Sequence, residues 1–374
     1  MSLFFKRLVV IVIFFGIFFG SIYFGYRKWI HFVQVRKAKK YFFSEDYQES
    51  LNCLKHLPEK KNIRTQKQLE VEYMRAVCFQ RTGQSEKAYA QWKKIFENTK
   101  FPRHKDAAHY YAGLNLWEKE NIEGAFEHFM VILERYPESD YVGDSLFYVA
   151  SYHENKNDIF KARDLYEKIV EKYPDATNIE KVIDKLGDLN IKLLYSKTDT
   201  PLTEVYIVKP GDSIATIAKK FNTTVELIMK CNQMKTTRIN PHDRIKVVTA
   251  TFSIVIDKSQ NILILKADGK FFKRYRVGTG KEGSTPIGNF EITEKLINPM
   301  WFKPDGGVIP FGSKENLLGT RWMSIDSPGY GIHGTWEPDS VGKQSSMGCI
   351  RLINEEVEEL YDLVPVATKV TIVD

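Results

Sequence analysis

Three side chains suited to acyl chemistry, His333, Cys349 and Arg351, fall within the stretch HGTWEPDSVGKQSSMGCIRL that runs from His333 to Leu352. A cysteine thiol with an ordinary pKa of ~8.5 is mostly protonated at neutral pH, and a neighbouring imidazole that takes the proton makes the thiolate nucleophile. Between Phe252 and the C-terminus there is no other cysteine and no other histidine, so the base for any thiol chemistry there is His333. Gly348 leaves room for substrate and backbone to approach the sulfur. Ile350 and Leu352 alternate around Arg351 as in a short strand, which puts Cys349 and Arg351 on one face. An attacked carbonyl develops an oxyanion that needs fixed donors, and the backbone N–H groups of Gly348 and Cys349 are the nearest. His333 would then protonate the leaving amine and deprotonate the acceptor. Arg351 could hold a substrate carboxylate as a bidentate pair, or serve a structural salt bridge. Trp301, Trp322, Trp336 and Tyr330 are candidates for pocket wall or core.

The remainder of the chain must deliver these residues to a substrate. A length of 374 residues exceeds one ordinary core and implies two to four domains. The net charge of +7 is concentrated in residues 1–40, which carry eight Lys or Arg and no acid, so the rest is near neutral and nucleic-acid binding is not indicated. Cys53, Cys78, Cys231 and Cys349 are scattered without metal-ligand or disulfide-framework spacing. Residues 8–26 form an uncharged apolar run of nineteen positions, about the length that crosses a ~30 Å hydrocarbon core as a helix. No small-residue cleavage site follows, so the run reads as an uncleaved signal anchor. Basic residues lie on both sides, and counted alone they would keep the C-terminal part in the cytoplasm. The chemistry expected of that part overrides the count.

From 36 to 196 the chain repeats itself at a shift of 37 residues. Ala88, Ala125 and Ala162 superpose, as do Trp92, Phe129 and Tyr166; Ile95, Ile132 and Ile169; and Tyr73, Tyr110 and Phe147. A small residue with large apolar residues four and seven positions later is one face of a helix. Pro137 and Pro174 end corresponding helices. The pattern resembles the tetratricopeptide family, whose usual period is ~34. That resemblance implies an α-solenoid with a concave protein-binding face; a stiff spacer is the other reading.

After a turn-rich linker at 197–204 comes a segment, 205–249, that reads strand, helix, helix, strand. Tyr206 and Val208 alternate, Pro210-Gly211-Asp212 turns the chain, Asp212 or Ser213 can cap a helix with Ile214, Ile217 and Ala218, and Asn222-Thr223-Thr224 starts a second helix. It resembles the LysM module, a binder of N-acetylglucosamine-containing polysaccharides. One departure is His242, after Pro241, where that family usually has Gly. The resemblance implies sugar contacts from Gly211, Asp212, Ser213 and Ile214 and from Asn232, Gln233 and Met234.

The last segment, 252–374, opens with the alternating runs FSIVID and NILILKA, a hairpin, and continues through short strands and Pro/Gly turns to one late helix, NEEVEELYDLV, with Asn354 as its cap. This is a β-rich sandwich or barrel. The ordered blocks STPIGNF, LLGTRWMSID, YGIHGT and SSMGCIRL resemble the YkuD-type L,D-transpeptidase catalytic domain, with His333, Gly334, Ser346, Gly348, Cys349 and Arg351 at motif positions and Met347 where a basic residue is often found. The resemblance implies Cys349 as nucleophile, His333 as general base and acid, and the Gly334 carbonyl as orienter of His333. Beside these, Ser346, Trp336, Tyr330 and Arg351 are the candidate substrate contacts, and no cofactor or metal is expected. The donor it implies is a peptidoglycan stem tetrapeptide that loses D-alanine, with a 3→3 crosslink as product. Water as acceptor would make the same site an L,D-carboxypeptidase, and an inert C-terminal domain would leave a wall-binding scaffold. The expected architecture is thus multidomain: a transmembrane segment (1–35), an all-α solenoid, a small α+β LysM domain and a β-rich catalytic domain. Its partners would be the inner membrane and, on the periplasmic side, the glycan strands and stem peptides of peptidoglycan.

Overall fold

The computed structural model describes residues 18–58, 63–97, 101, 104–303 and 306–374 in full, and residues 3–17 and 98 by backbone alone. It divides into two compact units, Met1–Lys156 with Asp175–Thr177, and Asn157–Pro174 with Asn178–Asp374.

The first unit is helical: α1 (Leu3–Phe43), α2 (Tyr47–Lys55), α3 (Gln66–Arg81), α4 (Ser85–Asn98), α5 (Lys105–Glu118), α6 (Ile122–Arg135) and α7 (Val142–Asn155). The 37-residue overlay is borne out as a packing rule. Ala88, Trp92 and Ile95 on α4, and Ala125, Phe129 and Ile132 on α6, are all 0% exposed. Thr65 and Asn121 cap α3 and α6 through their side-chain oxygens, and α6 stops at Tyr136, ahead of Pro137. Most of the apolar run expected to span a membrane, residues 8–17, lies outside the residues whose side chains are described. Among the described residues, no helix is long and apolar enough to cross a membrane.

The second unit begins with α8 (Ile159–Lys172), which repeats the stripe as Ala162, Tyr166 and Ile169, and α9 (Ile179–Leu194). Ile191 and Leu194 of α9 join the core of the C-terminal sheet, and the Asn190 side-chain amide donates to the Phe272 carbonyl at 2.7 Å. The stretch read as a linker is clasped rather than loose. A helix end leaves carbonyls without donors, and the buried Lys246 ammonium donates to those of Leu193, Leu194, Ser196 and Thr198 at 2.6–3.4 Å.

Lys246 lies on β2 (Arg244–Val248), which pairs antiparallel with β1 (Thr203–Ile207) around α10 (Ile214–Lys220) and α11 (Val225–Cys231). Ser213 caps α10 in a capping box with Thr216, while Asp212 accepts from the Lys209 amide and the Tyr206 hydroxyl. His242 takes φ +74°, so it supplies the left-handed turn that glycine would otherwise give. Leu227 and Cys231 of α11 reach into the neighbouring domain's core. Thr224 donates to the Asp362 carbonyl, and Lys230 pairs with the Asp362 carboxylate at 2.6 Å.

The C-terminal strands are β3 (Phe252–Asp257), β4 (Ile262–Ala267), β5 (Lys270–Arg276), β6 (Thr279–Gly280), β7 (Gly288–Ile297), β8 (Trp301–Phe302), β9 (Val308–Ile309), β10 (Arg321–Ile325), β11 (Gly331–His333), β12 (Gln344–Ser346), β13 (Ile350–Arg351) and β14 (Lys369–Val373). Eight of them form one mixed sheet, in the order β13-β11-β10-β7-β14-β3-β4-β5, open between edge strands β13 and β5 rather than closed as a barrel. β7 carries the sheet from one set of partners to the other: its first half pairs with β14 and its second with β10. The helix α12 (Asn354–Leu363) covers this core with Val357 and Leu360. Asn354 is not its cap: it stands inside the first turn, and its Oδ1 accepts from the Thr320 amide at 3.1 Å. Lys295 caps the other end, donating to the Tyr361 and Val364 carbonyls.

Candidate active site

His333 ends β11, flanked by β10 and β13. It faces Trp322 across the antiparallel ladder and Arg351 across the parallel one. Ile332 and Ile350 turn into the core, so His333 and Arg351 share the opposite face. The same register carried one step back sets Cys349 beside Gly331. Cys349 immediately precedes β13, and the Gly331 amide of β11 lies close enough to act on its thiol.

The His333 ring is 2% exposed and fixed on two sides. Its Nδ1 lies 2.6 Å from the Gly334 carbonyl, and the Trp322 ring stacks on it at 5.6 Å between centroids and 29° between planes. A carbonyl only accepts, so Nδ1 carries the hydrogen and Nε2 keeps the lone pair. Burial drives the imidazole down to about 4, with the Arg351 charge adding to the fall and the Gly334 and Leu318 carbonyls opposing it. Gly334 must be small, because a β-carbon there would meet Asn354 Oδ1 and Val357.

Cys349 is half-buried, and its Sγ donates to the Gly329 carbonyl at 3.5 Å. Burial pushes the thiol up, while the Gly331 amide and the Arg351 charge pull it down. The loop before it is braced from two sides. Ser346 Oγ accepts from the Gly348 amide at 3.1 Å and donates to the Cys349 carbonyl at 2.7 Å. Thr285 Oγ1 donates to the Gly348 carbonyl at 2.8 Å and accepts from the Gly280 amide at 2.7 Å. Gly348 has φ +124°, and a β-carbon there would lie 2.6 Å from the Tyr330 ring.

Four expected site residues are otherwise engaged. The Gly348 amide, expected as an oxyanion donor, is already committed to Ser346. Ser346, expected near substrate, is 1% exposed and spends its hydroxyl on the loop. Ile214, expected at the sugar, is buried in the core of its own module, and the Asn232 amide is used up bridging Ile228 and Lys246. Gly211, with φ +90°, Ser213 and Gln233 are exposed, and Asp212 and Met234 are partly so. Trp336 is exposed beside Phe311 at 6.2 Å, whereas Tyr330 packs over Gly348. Arg351 is 8% exposed; its nearest carboxylate is that of Glu337 at 3.6 Å, and its Nε has no partner among the described residues. The sequence gives no sign of Thr285 or Glu337 at the site, and it offers Trp322 only as pocket wall or core, not as the ring that stacks on His333. Thr285 sits in the STPIGNF block, where residue types give a turn and no role for the hydroxyl, and Trp322 acts through strand register.

Residues 251–372 match the family model of the L,D-transpeptidase catalytic domain, 206–248 the LysM domain and 144–176 a tetratricopeptide repeat. The chain is 42% identical over 127 residues to the protein called L,D-transpeptidase YqjB of Bacillus subtilis, covering 32% of this chain and 70% of that one. It is 33% identical over 174 residues to the one called YkuD of the same organism, covering 45% and 97%. Among solved structures, the catalytic domain of an Enterococcus faecium L,D-transpeptidase is similar at 26% identity, 33% and 96% coverage and TM-score 0.28. An L,D-transpeptidase from Mycobacterium smegmatis is similar at 19% identity, 36% and 64% coverage and TM-score 0.29.

Proposed function

Because the chain belongs to the L,D-transpeptidase family of YkuD-type catalytic domains, joined here to a LysM domain and a tetratricopeptide repeat, we propose that it acylates Cys349 with a peptidoglycan stem tetrapeptide, releases D-alanine and passes the acyl group to an amine. What supports this reading is a buried histidine on β11, the strand beside the one that Cys349 leads into, with Nδ1 held by the Gly334 carbonyl so that Nε2 keeps the lone pair a base needs. At neutral pH the pair rests uncharged: the imidazole titrates at about 4 and the thiol above its usual range. Proton transfer therefore accompanies attack. As the S–C bond forms, Nε2 takes the thiol proton and the carbonyl electrons move to oxygen, where the Cys349 amide is the donor left after Gly348 is spent. Collapse breaks the C–N bond, and the imidazolium gives its proton to the departing D-alanine amine. The acceptor amine then attacks the thioester, loses a proton to His333 and restores the thiol. Arg351 receives a substrate carboxylate, and Trp336 and Tyr330 line the approach.

The exposed residues Gly211, Asp212, Ser213, Gln233 and Met234 would meet the glycan, and the run at 8–26 would anchor the chain in the inner membrane with these domains on the wall side. Aromatic and basic residues at the end of that run support the anchor, with Arg27 lying over the Tyr23 ring. Incubating the full chain with disaccharide tetrapeptides and following products by mass spectrometry tests the reading. D-alanine and a 3→3 dimer are expected; a tripeptide without dimer would make water the acceptor. Equal D-alanine release by Cys349→Ala would end the cysteine mechanism.

A further inference from the structure

Arg351 is a buried guanidinium with spare hydrogen-bonding capacity. It has five N–H donors; one nitrogen meets Glu337 Oε2 at the long distance of 3.6 Å, and Nε meets nothing among the described residues. The Glu337 side chain is 65% exposed, so this pairing is loose on one side and wet on the other. Its backbone, by contrast, is held. The Glu337 amide donates to Thr335 Oγ1 at 3.0 Å, and Ser340 donates to the Glu337 carbonyl through both Oγ and N. The turn at Pro338–Ser340 rests on Gly278, where a β-carbon would lie 2.6 Å from the Ser340 carbonyl. Gly278 in turn exchanges both backbone hydrogen bonds with Arg351. A carboxylate is thus presented by a fixed turn to the guanidinium two residues along the chain from the reactive cysteine.

The leaving group of the proposed reaction is a single amino acid whose free carboxylate lies one carbon beyond the scissile nitrogen. We propose that Glu337 sits in the place of that carboxylate on Arg351 and is displaced when a donor binds, which makes Glu337 a specificity-determining residue for donors with a free C-terminal carboxylate. A donor carboxylate can form the bidentate, desolvated pair that Glu337 does not form. A carboxamide cannot, and leaves Glu337 in place. The inference rests on the acyl-transfer reading for the identity of the donor, but its test does not need turnover.

The test measures KM and kcat for a tetrapeptide donor and for the same donor with a C-terminal amide. Glu337→Gln keeps the shape and removes the competing charge. Since exposed ion pairs are weak, the expected effect is a fall of about two- to fivefold in KM for the carboxylate donor, with kcat little moved and the amide donor unaffected. In an Arg351→Met background the Glu337→Gln effect should vanish, because the two residues act on one interaction. Equilibrium binding of both peptides to chains carrying Cys349→Ala gives the same comparison without chemistry. Unchanged or weaker carboxylate binding with Glu337→Gln, or equal tightening for both peptides, would overturn the proposal. Failure of D-alanine release with the binding difference intact would instead strike the reaction.

Discussion

Burial drives His109 on α5 and His333 on β11 alike down to about 4, yet the two rings are used differently. His109 Nδ1 lies 2.9 Å from His128 Nδ1 on α6, so one imidazole donates to the other. Phe96 stacks on His109 at 4.6 Å, and Tyr89 and Tyr136 close around the pair. His333 instead spends its Nδ1 hydrogen on the Gly334 carbonyl beside it, which leaves Nε2 with its lone pair. A low imidazole pKa is therefore no sign of catalysis by itself. What separates the sites is the partner of the committed nitrogen and what the other nitrogen faces.

The largest effect that sharpens the contrast comes from removing the ring. His333→Gln is expected to lower D-alanine release by ~10²–10⁴-fold, the usual contribution of a positioned proton-transfer group. His109→Gln should leave release unmoved. Comparable losses in both would mean that the change at His333 acts on folding rather than on proton transfer, and circular dichroism of each variant would show it.

A smaller effect concerns pH. The base must be neutral, and burial puts its titration at about 4, so kcat/KM should be level from about pH 7 to 5 and fall as pH drops through 4. An acid limb centred near ~6.5, the ordinary histidine value, would show that the ring is wet in the working enzyme. The stacked Trp322 and the Arg351 charge would then not set its titration.

How much of this was legible in the sequence depended on the range of the physics. The stripe Ala88, Trp92, Ile95 and its two copies could be read because helical periodicity is local, and the β3–β4 hairpin because alternation is local. His333 and Cys349 also lie within one short stretch. The clasp of Lys246 was not legible, because it joins a strand to carbonyls about fifty residues earlier, and nothing in the pattern RIKVV distinguishes an ammonium that caps a helix from one in water. Asn354 preceded an apolar helix and looked like its cap, but the sheet supplied a better donor, the Thr320 amide. The loss of the Gly348 amide to Ser346 follows from a loop conformation that residue types alone do not specify.

The smallest expected effect lies in the helical unit, where the His109–His128 pair should tune stability without touching catalysis. Both rings are lowered in the folded state, His109 by burial, His128, Arg135 and Lys105 against Asp106, and His128 by burial against Glu127. Unfolded histidines titrate near ~6.5. Above that value neither state binds the proton, and the pair contributes its full stability. As pH falls from about 6.5 toward 4 the unfolded state binds protons that the folded state refuses, so stability declines. Hydrogen exchange of the α5 and α6 amides, corrected for intrinsic rate, should therefore show more opening at pH 5 than at pH 7. Replacing both rings, His109→Gln with His128→Gln, keeps a side-chain hydrogen bond but removes the titration, and the pH dependence should flatten. If it persists in the double variant, the acid sensitivity of this unit lies outside the histidine pair.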